Sequence, residues 1–169
     1  GSYKDTNWVP QGMTYDASTD QLYVTMYHRN ASEIPRLVIY KRSTGAWVKT
    51  VNLVGVPKSA HVGGVAIGKG TVFVINSERG KAAVYHFSLS KVRAVPTGAR
   101  RDVANQKRLD VAGLNNGSYG AYSGGYLYVG DFDDNVMKRY PVSSTGRVGT
   151  TSKGTYKTPS ITQGVAVTS

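Results

Sequence analysis

"HVGGVAIGKGTVFVIN", residues 61–76, sets a glycine pair before a short apolar run, then a turn, then a second apolar run. Related phrases occur at residues 10–27, "PQGMTYDASTDQLYVTMY", at 118–132, "SYGAYSGGYLYVGDF", and at 162–169, "TQGVAVTS". Aligning them brings Gly12, Gly64, Gly120 and Gly164 into register, at spacings of 52, 56 and 44 residues. Short apolar runs bounded by Gly, Ser, Asn and Asp read as strands: "QLYVTMY", "RLVIYKR", "WVKTVNL", "TVFVIN", "AAVYHFSL", "YLYVGDF" and "VMKRYPV". A short helix has room only within 91–108. Four short strands per repeat, at a period of about fifty residues, is the pattern of propeller blades.

The expected fold is therefore all-β: a β-propeller segment of three four-stranded blades plus one opening strand. Blade 1 runs over about 8–56, blade 2 over about 60–112 and blade 3 over about 116–159, with the opening strand of a further blade at 161–168. The aligned glycines mark inner strands, where a missing side chain lets neighbouring backbones converge on one axis. A four-stranded blade cannot bury both faces alone, so its neighbours must cover them. Three blades do not close a ring. Two readings follow: a homodimer that completes a six-bladed wheel, or a piece of a larger propeller. No leader segment is legible, and Gly1-Ser2 reads as a cloning remnant.

The openings "PQGMTYDASTDQLYV" and "TQGVAV" resemble the Pro-x-Gly-hydrophobic start of blades in the NHL and SMP-30-like propeller families, and the overall texture resembles secreted actinobacterial propeller proteins. The resemblance implies a six-bladed ring and a secreted, extracellular setting. It also brings two alternative functions: a metal-dependent channel-site hydrolase, lactonase or lyase of the SMP-30 kind, and an NHL-like RNA-binding module. The SMP-30-like channel site uses Glu, Asn and Asp around a divalent metal, and no Glu lies near an axial strand here.

Composition narrows the chemistry. The 169 residues contain no Cys, so disulfides, thiolate nucleophiles and Cys-held metals are excluded. A formal net charge of +11 favours anionic partners. Lys91, Arg93, Arg100, Arg101, Lys107 and Arg108 lie within eighteen residues, opposed by Asp102 alone, and are expected to form a basic ligand-binding loop. The absence of an aromatic residue from that segment favours an acidic protein or diffuse polyanion over nucleic acid.

Gln11, His61, Tyr119 and Gln163 are expected to face the central channel. Asp131, Asp133 and Asp134, in "GDFDDN", offer oxygen ligands for Ca²⁺, although the spacing departs from an EF-hand loop, and Asp-rich hairpin turns use the same residues structurally. No nucleophile elbow, HExxH or phosphate loop is present. The leading expectation is a noncatalytic binding or interaction scaffold for a protein or polyanionic partner, self-associating to close its ring, with no catalytic residue, no membrane span, and no cofactor other than the candidate Ca²⁺.

Overall fold

Three sheets stand where the three repeats are read, as a computed structural model describing residues 6–168 shows. Gly1-Ser2 lies outside the described residues. Blade 1 is built from β1 (Trp8–Asp16), β2 (Gln21–His28), β3 (Arg36–Lys41) and β4 (Trp47–Val54), paired antiparallel in chain order. Blade 2 runs β5 (Gly64–Gly68), β6 (Thr71–Glu78) and β7 (Lys81–Ser88). The chain then leaves the sheet through α1 (Leu89–Ala94) and β8 (Arg100–Ala104), and returns to close the blade with β9 (Lys107–Val111). Blade 3 is β10 (Tyr119–Ser123), β11 (Tyr126–Asp131), β12 (Val136–Pro141) and β13 (Gly154–Lys157). The architecture is a β-propeller segment.

The alternation of each strand distributes apolar side chains to both faces. One core lies between blades 1 and 2, where Tyr23, Leu37 and Ile39 meet Val65, Val74 and Tyr85. A second lies between blades 2 and 3, where Phe73, Ile75 and Val84 meet Leu127, Val129 and Tyr140. Each blade is thus covered by its neighbour, the arrangement that removes apolar area from water in stacked repeats.

The inner strands converge through their glycines. A Cβ on Gly12 would lie 2.9 Å from Gly63 O, and one on Gly64 would lie 2.9 Å from Gly120 N. Backbone approach at this distance admits only hydrogen in place of a side chain. Blade 3 departs from the aligned register by one residue. Gly64 pairs with Ile75, but in blade 3 Tyr119, not Gly120, takes the matching place opposite Gly130. The bulk is exchanged across the pair: Tyr119 fills the space that a side chain at Gly130 would occupy. Gly120 is turned back against the Ile75 side chain of blade 2.

Two further features differ from expectation. Blade 1 has five strands, because β8 pairs in parallel with β4. Residues 161–168 carry no strand, since no ladder partner lies beside them, and a Cβ on Gly164 would meet nothing within 4 Å.

The two ends of the fan are unlike its middle. Met13 stands opposite Val24 on the outer face of blade 1 and is 64% exposed. Val65, opposite Val74, occupies the same place in blade 2 and is 1% exposed under blade 1. Tyr15 and, at the other end, Tyr156 are also exposed. On the blade 1 face the remaining apolar residues gather as Trp8, Met26 and Val38, with the Arg36 guanidinium 3.8 Å over the Trp8 ring.

Candidate functional site: the axial cavity and the basic strap

The loops that lead into the inner strands enclose a cavity of about 530 Å³ at the axis. Three of the four residues expected at the channel, Gln11, His61 and Gln163, line it. Tyr119 does not. The one-residue shift of β10 turns its ring under the blade, 1% exposed, with its hydroxyl 3.4 Å from Thr158 Oγ1. Ser118, one residue earlier, takes the axial place instead, joined by Asn116.

Side chains at the ends of the second strands hold these loops. In β6, Asn76 Oδ1 accepts from the backbone N–H of both His61 and Val62, each at 3.1 Å, while its Nδ2 donates to Glu78 Oε1 at 3.1 Å. In β11, Asp131 holds the matching place and accepts from Asn116 N at 2.9 Å. Thr25 of β2 reaches between blades, donating to Val62 O at 2.8 Å and accepting from Gly12 N at 2.9 Å. Val62 has φ of 49°, a conformation that strains a β-branched residue, and the Asn76 and Thr25 bonds clamp it there. His61 is thereby set at the cavity, where its ring stacks on Tyr27 at 4.3 Å. Amides, hydroxyls and the Asp133 carboxylate, with one stacked aromatic pair, make this a surface for hydrogen bonding to a polar group. Asn76 is the loop-holding position that motif reading misses, and Asp131 is singled out there only as a Ca²⁺ donor; their shared place in the repeat, each the first polar residue after an apolar run of the second strand, is the signal that identifies the loop-holding role.

The three aspartates expected to hold Ca²⁺ accept hydrogen bonds from their own turn and from the loop before β10. Asp131 is buried and its Oδ1 accepts from the N–H groups of Asp133 at 2.9 Å and Asp134 at 3.2 Å. Asp133 Oδ2 accepts from the Asn116 amide at 2.9 Å, and Asp134 Oδ2 from the Asn115 amide at 2.8 Å. The Asp131 Oδ1 bonds are those of an Asx turn, and the two Asn amides tie that turn to the loop before β10. Among the described residues no three His, Cys, Asp or Glu side chains gather as a donor set.

The six basic residues do not share a loop. Helix and strand propensity place Lys91 and Arg93 on α1, Arg100 and Arg101 on β8, and Lys107 and Arg108 on β9, in two different sheets. Arg93 is paired with Asp16, at 2.8 and 3.1 Å. Burial alone would raise the Asp16 pKa, but hydrogen bonds from Arg93 and Thr19 and the Arg93 charge outweigh it and hold the carboxyl below its ordinary value. Arg108 is paired with Glu78 at 2.9 Å and Asp110 at 2.9 Å, beside Tyr85, whose hydroxyl donates to Glu78. Burial and that bond push Tyr85 well above the ordinary phenol range. Lys91, Arg100 and Arg101 remain exposed at the surface. The strap of α1 and β8 is held to blade 1 by Lys49, whose Nζ donates to Arg93 O at 2.8 Å and Val95 O at 2.9 Å.

No protein-family model and no curated protein matches the chain. Among solved structures, Myxococcus xanthus glutaminyl cyclase is similar over 90% of this chain and 52% of that one, at 12% identity and a TM-score of 0.56. A nidogen/laminin complex is similar over 89% of this chain and 81% of the other, at 10% identity and a TM-score of 0.33. The likeness to the cyclase concerns the fold, and this chain spans about half of that protein's length. No helix among the described residues is long and apolar enough to cross a membrane.

Proposed function

We propose that the chain is part of a noncatalytic propeller scaffold that binds a protein partner at its axial mouth, and that a second copy supplies the blades that close the ring. One observation supports the binding role above others. Three separate inner-strand loops deliver Gln11, His61, Asn116 and Ser118 onto one cavity, and each loop is fixed by a side chain given over to that purpose. Pre-set amides and hydroxyls suit the main-chain groups of an inserted polypeptide loop, and the net charge of +11 steers an acidic partner toward the scaffold. Loops positioned by a rigid sheet framework are the usual seat of binding in such folds.

The closure by a second copy is supported by the exposed Met13 and Tyr15 at one end and the exposed Tyr156 at the other. Sedimentation equilibrium tests it: a mass of about twice the chain's 18.2 kDa at micromolar concentration supports closure by self-association, and a monomer throughout overturns it. The binding reading is tested by titrating poly-L-glutamate into the labelled protein and following the side-chain amide resonances of Gln11, Asn116 and Gln163. Shifts at these amides that weaken with added salt support the axial mouth. Binding that leaves all three amides unmoved, or no binding, overturns it.

A further inference from the structure

Residues 89–106 leave blade 2 between its third and fourth strands, cross to blade 1, and return. The crossing makes β8 the outermost strand of blade 1. Its inward bonds run from Thr50 N to Ala99 O at 3.0 Å and from Asn105 N to Val54 O at 2.8 Å. Bonding residues alternate in a parallel ladder, so Ala99, Arg101, Val103 and Asn105 address β4. The backbone N–H and C=O groups of Arg100, Asp102 and Ala104 turn outward. Such a row is a template for a further strand. One group in it is shielded: the Arg101 guanidinium donates to Arg100 O at 3.0 Å, in an exposed bond.

Beside this edge, α1 and β8 enclose a groove of about 350 Å³ lined by Lys91, Val95, Arg101 and Val103 among others. The charge along it is positive. Lys91, Arg100 and Arg101 are exposed, and the carboxylate of Asp102 already accepts from Asn52 Nδ2 at 2.8 Å. The other outer edges are unlike it. On β9 the guanidinium of Arg108 is paired with Glu78 and Asp110, and β13 is only four residues long.

We infer that β8 is a docking edge for an extended acidic segment of a partner protein, which adds to blade 1 as a sixth strand. Successive side chains of a strand fall on opposite faces, so Arg101 and Lys91 meet carboxylates on the groove side while Arg100 meets them on the other. A carboxylate is a stronger acceptor than the neutral carbonyl of Arg100, so it draws the Arg101 guanidinium away and frees that carbonyl for the incoming strand. Main-chain bonds supply the affinity and alternating charge supplies the selectivity. The surface is separate from the axial cavity, so each proposal can fail alone.

The test uses a short labelled peptide of alternating threonine and glutamate, and its copy N-methylated at every second residue. Amide hydrogen exchange, read by NMR on the unaltered protein, should slow at Arg100, Asp102 and Ala104 when the first peptide binds, with no slowing from the methylated copy. Ala104→Pro removes one outward N–H and should weaken binding about fivefold. Arg100→Glu with Arg101→Glu should weaken it about tenfold or more. Equal binding of both peptides, unchanged exchange at the three amides, no binding, or full displacement by polyuridylate RNA would each overturn the inference, the last by reducing it to polyanion adhesion.

Discussion

Replacing Gly64 by alanine tests the crowding of the inner strands at a single atom. The new Cβ would stand 2.9 Å from Gly120 N and from Tyr119 C, and 3.1 Å from Ile75 Cβ. Two of these three atoms belong to the backbone of β10 in the next blade, so no rotamer change relieves the overlap. Overpacking of this kind costs about 1–3 kcal/mol. In a chain of this length each kcal/mol lowers Tm by about 2–4 °C, which gives a fall of about 2–12 °C. Alanine also narrows the unfolded ensemble, which returns about 0.4–1 kcal/mol. Gly164→Ala carries the same unfolded-state term and meets nothing within 4 Å, so the difference between the two variants isolates the clash. Thermal unfolding followed by circular dichroism, at a concentration where the chain is monomeric, provides the measurement. If Gly64→Ala melts within about 1 °C of Gly164→Ala, the convergence of β5 and β10 is refuted.

Lys49→Met leaves the carbonyls of Arg93 and Val95 without their buried donor, and should destabilise the protein by about 1–3 kcal/mol, with hydrogen exchange rising first at the amides of β8. His86 is held neutral: its Nδ1 lies 2.9 Å from Lys107 O and its Nε2 accepts from Val148 N at 3.2 Å. Burial, followed by the charges of Arg147 and Lys107, lowers its pKa despite backbone hydrogen bonds that raise it. A histidine depressed in the folded state is protonated first in the unfolded chain, so the stability it contributes is present above about pH 6.5 and is lost as pH falls below that value. Urea midpoints should therefore drop between pH 7 and 5, and His86→Gln should flatten the slope. Asp131→Ala removes the acceptor for three backbone N–H groups, those of Asn116, Asp133 and Asp134, and should lower stability by at least about 2 kcal/mol by urea unfolding, with Asp131→Asn milder.

The blades are legible in the sequence because apolar alternation and glycine spacing are local signals. The runs "RLVIYKR", "TVFVIN" and "VMKRYPV" coincide with β3, β6 and β12, and the fourth strands at Lys107–Val111 and Gly154–Lys157 fall where the repeat places them. The register of β10 is not legible. Its turn, Gly124-Gly125, matches Lys69-Gly70 in length and in positive φ, but Gly120 stands one residue nearer to that turn than Gly64 does to its own, so aligning the glycines slips the strand, and a slip of one residue reverses every side chain. That slip moves Tyr119 from the channel to the core and puts Ser118 in its place. The helix α1 overlaps the one segment where the sequence leaves room for a helix, but β8 escapes sequence reading for another reason. "RRDVA" alternates too weakly to announce a strand, and its parallel pairing with β4 is a contact across about fifty residues that no local pattern encodes. The same holds for the basic residues: spacing shows that they are near in sequence, but Asp16 and Glu78, from other strands, decide which stay unpaired.

The partial-wheel geometry is tested most directly by nuclear Overhauser contacts among the inner strands of the folded chain. The account predicts cross-peaks from Gly12 Hα to Gly64 Hα, and from Gly64 Hα to the amide proton of Gly120, with none linking Gly12 directly to Gly120. Contacts between Gly12 and Gly120, as a closed three-sheet barrel would require, or no contact between Gly64 and either glycine, would contradict it.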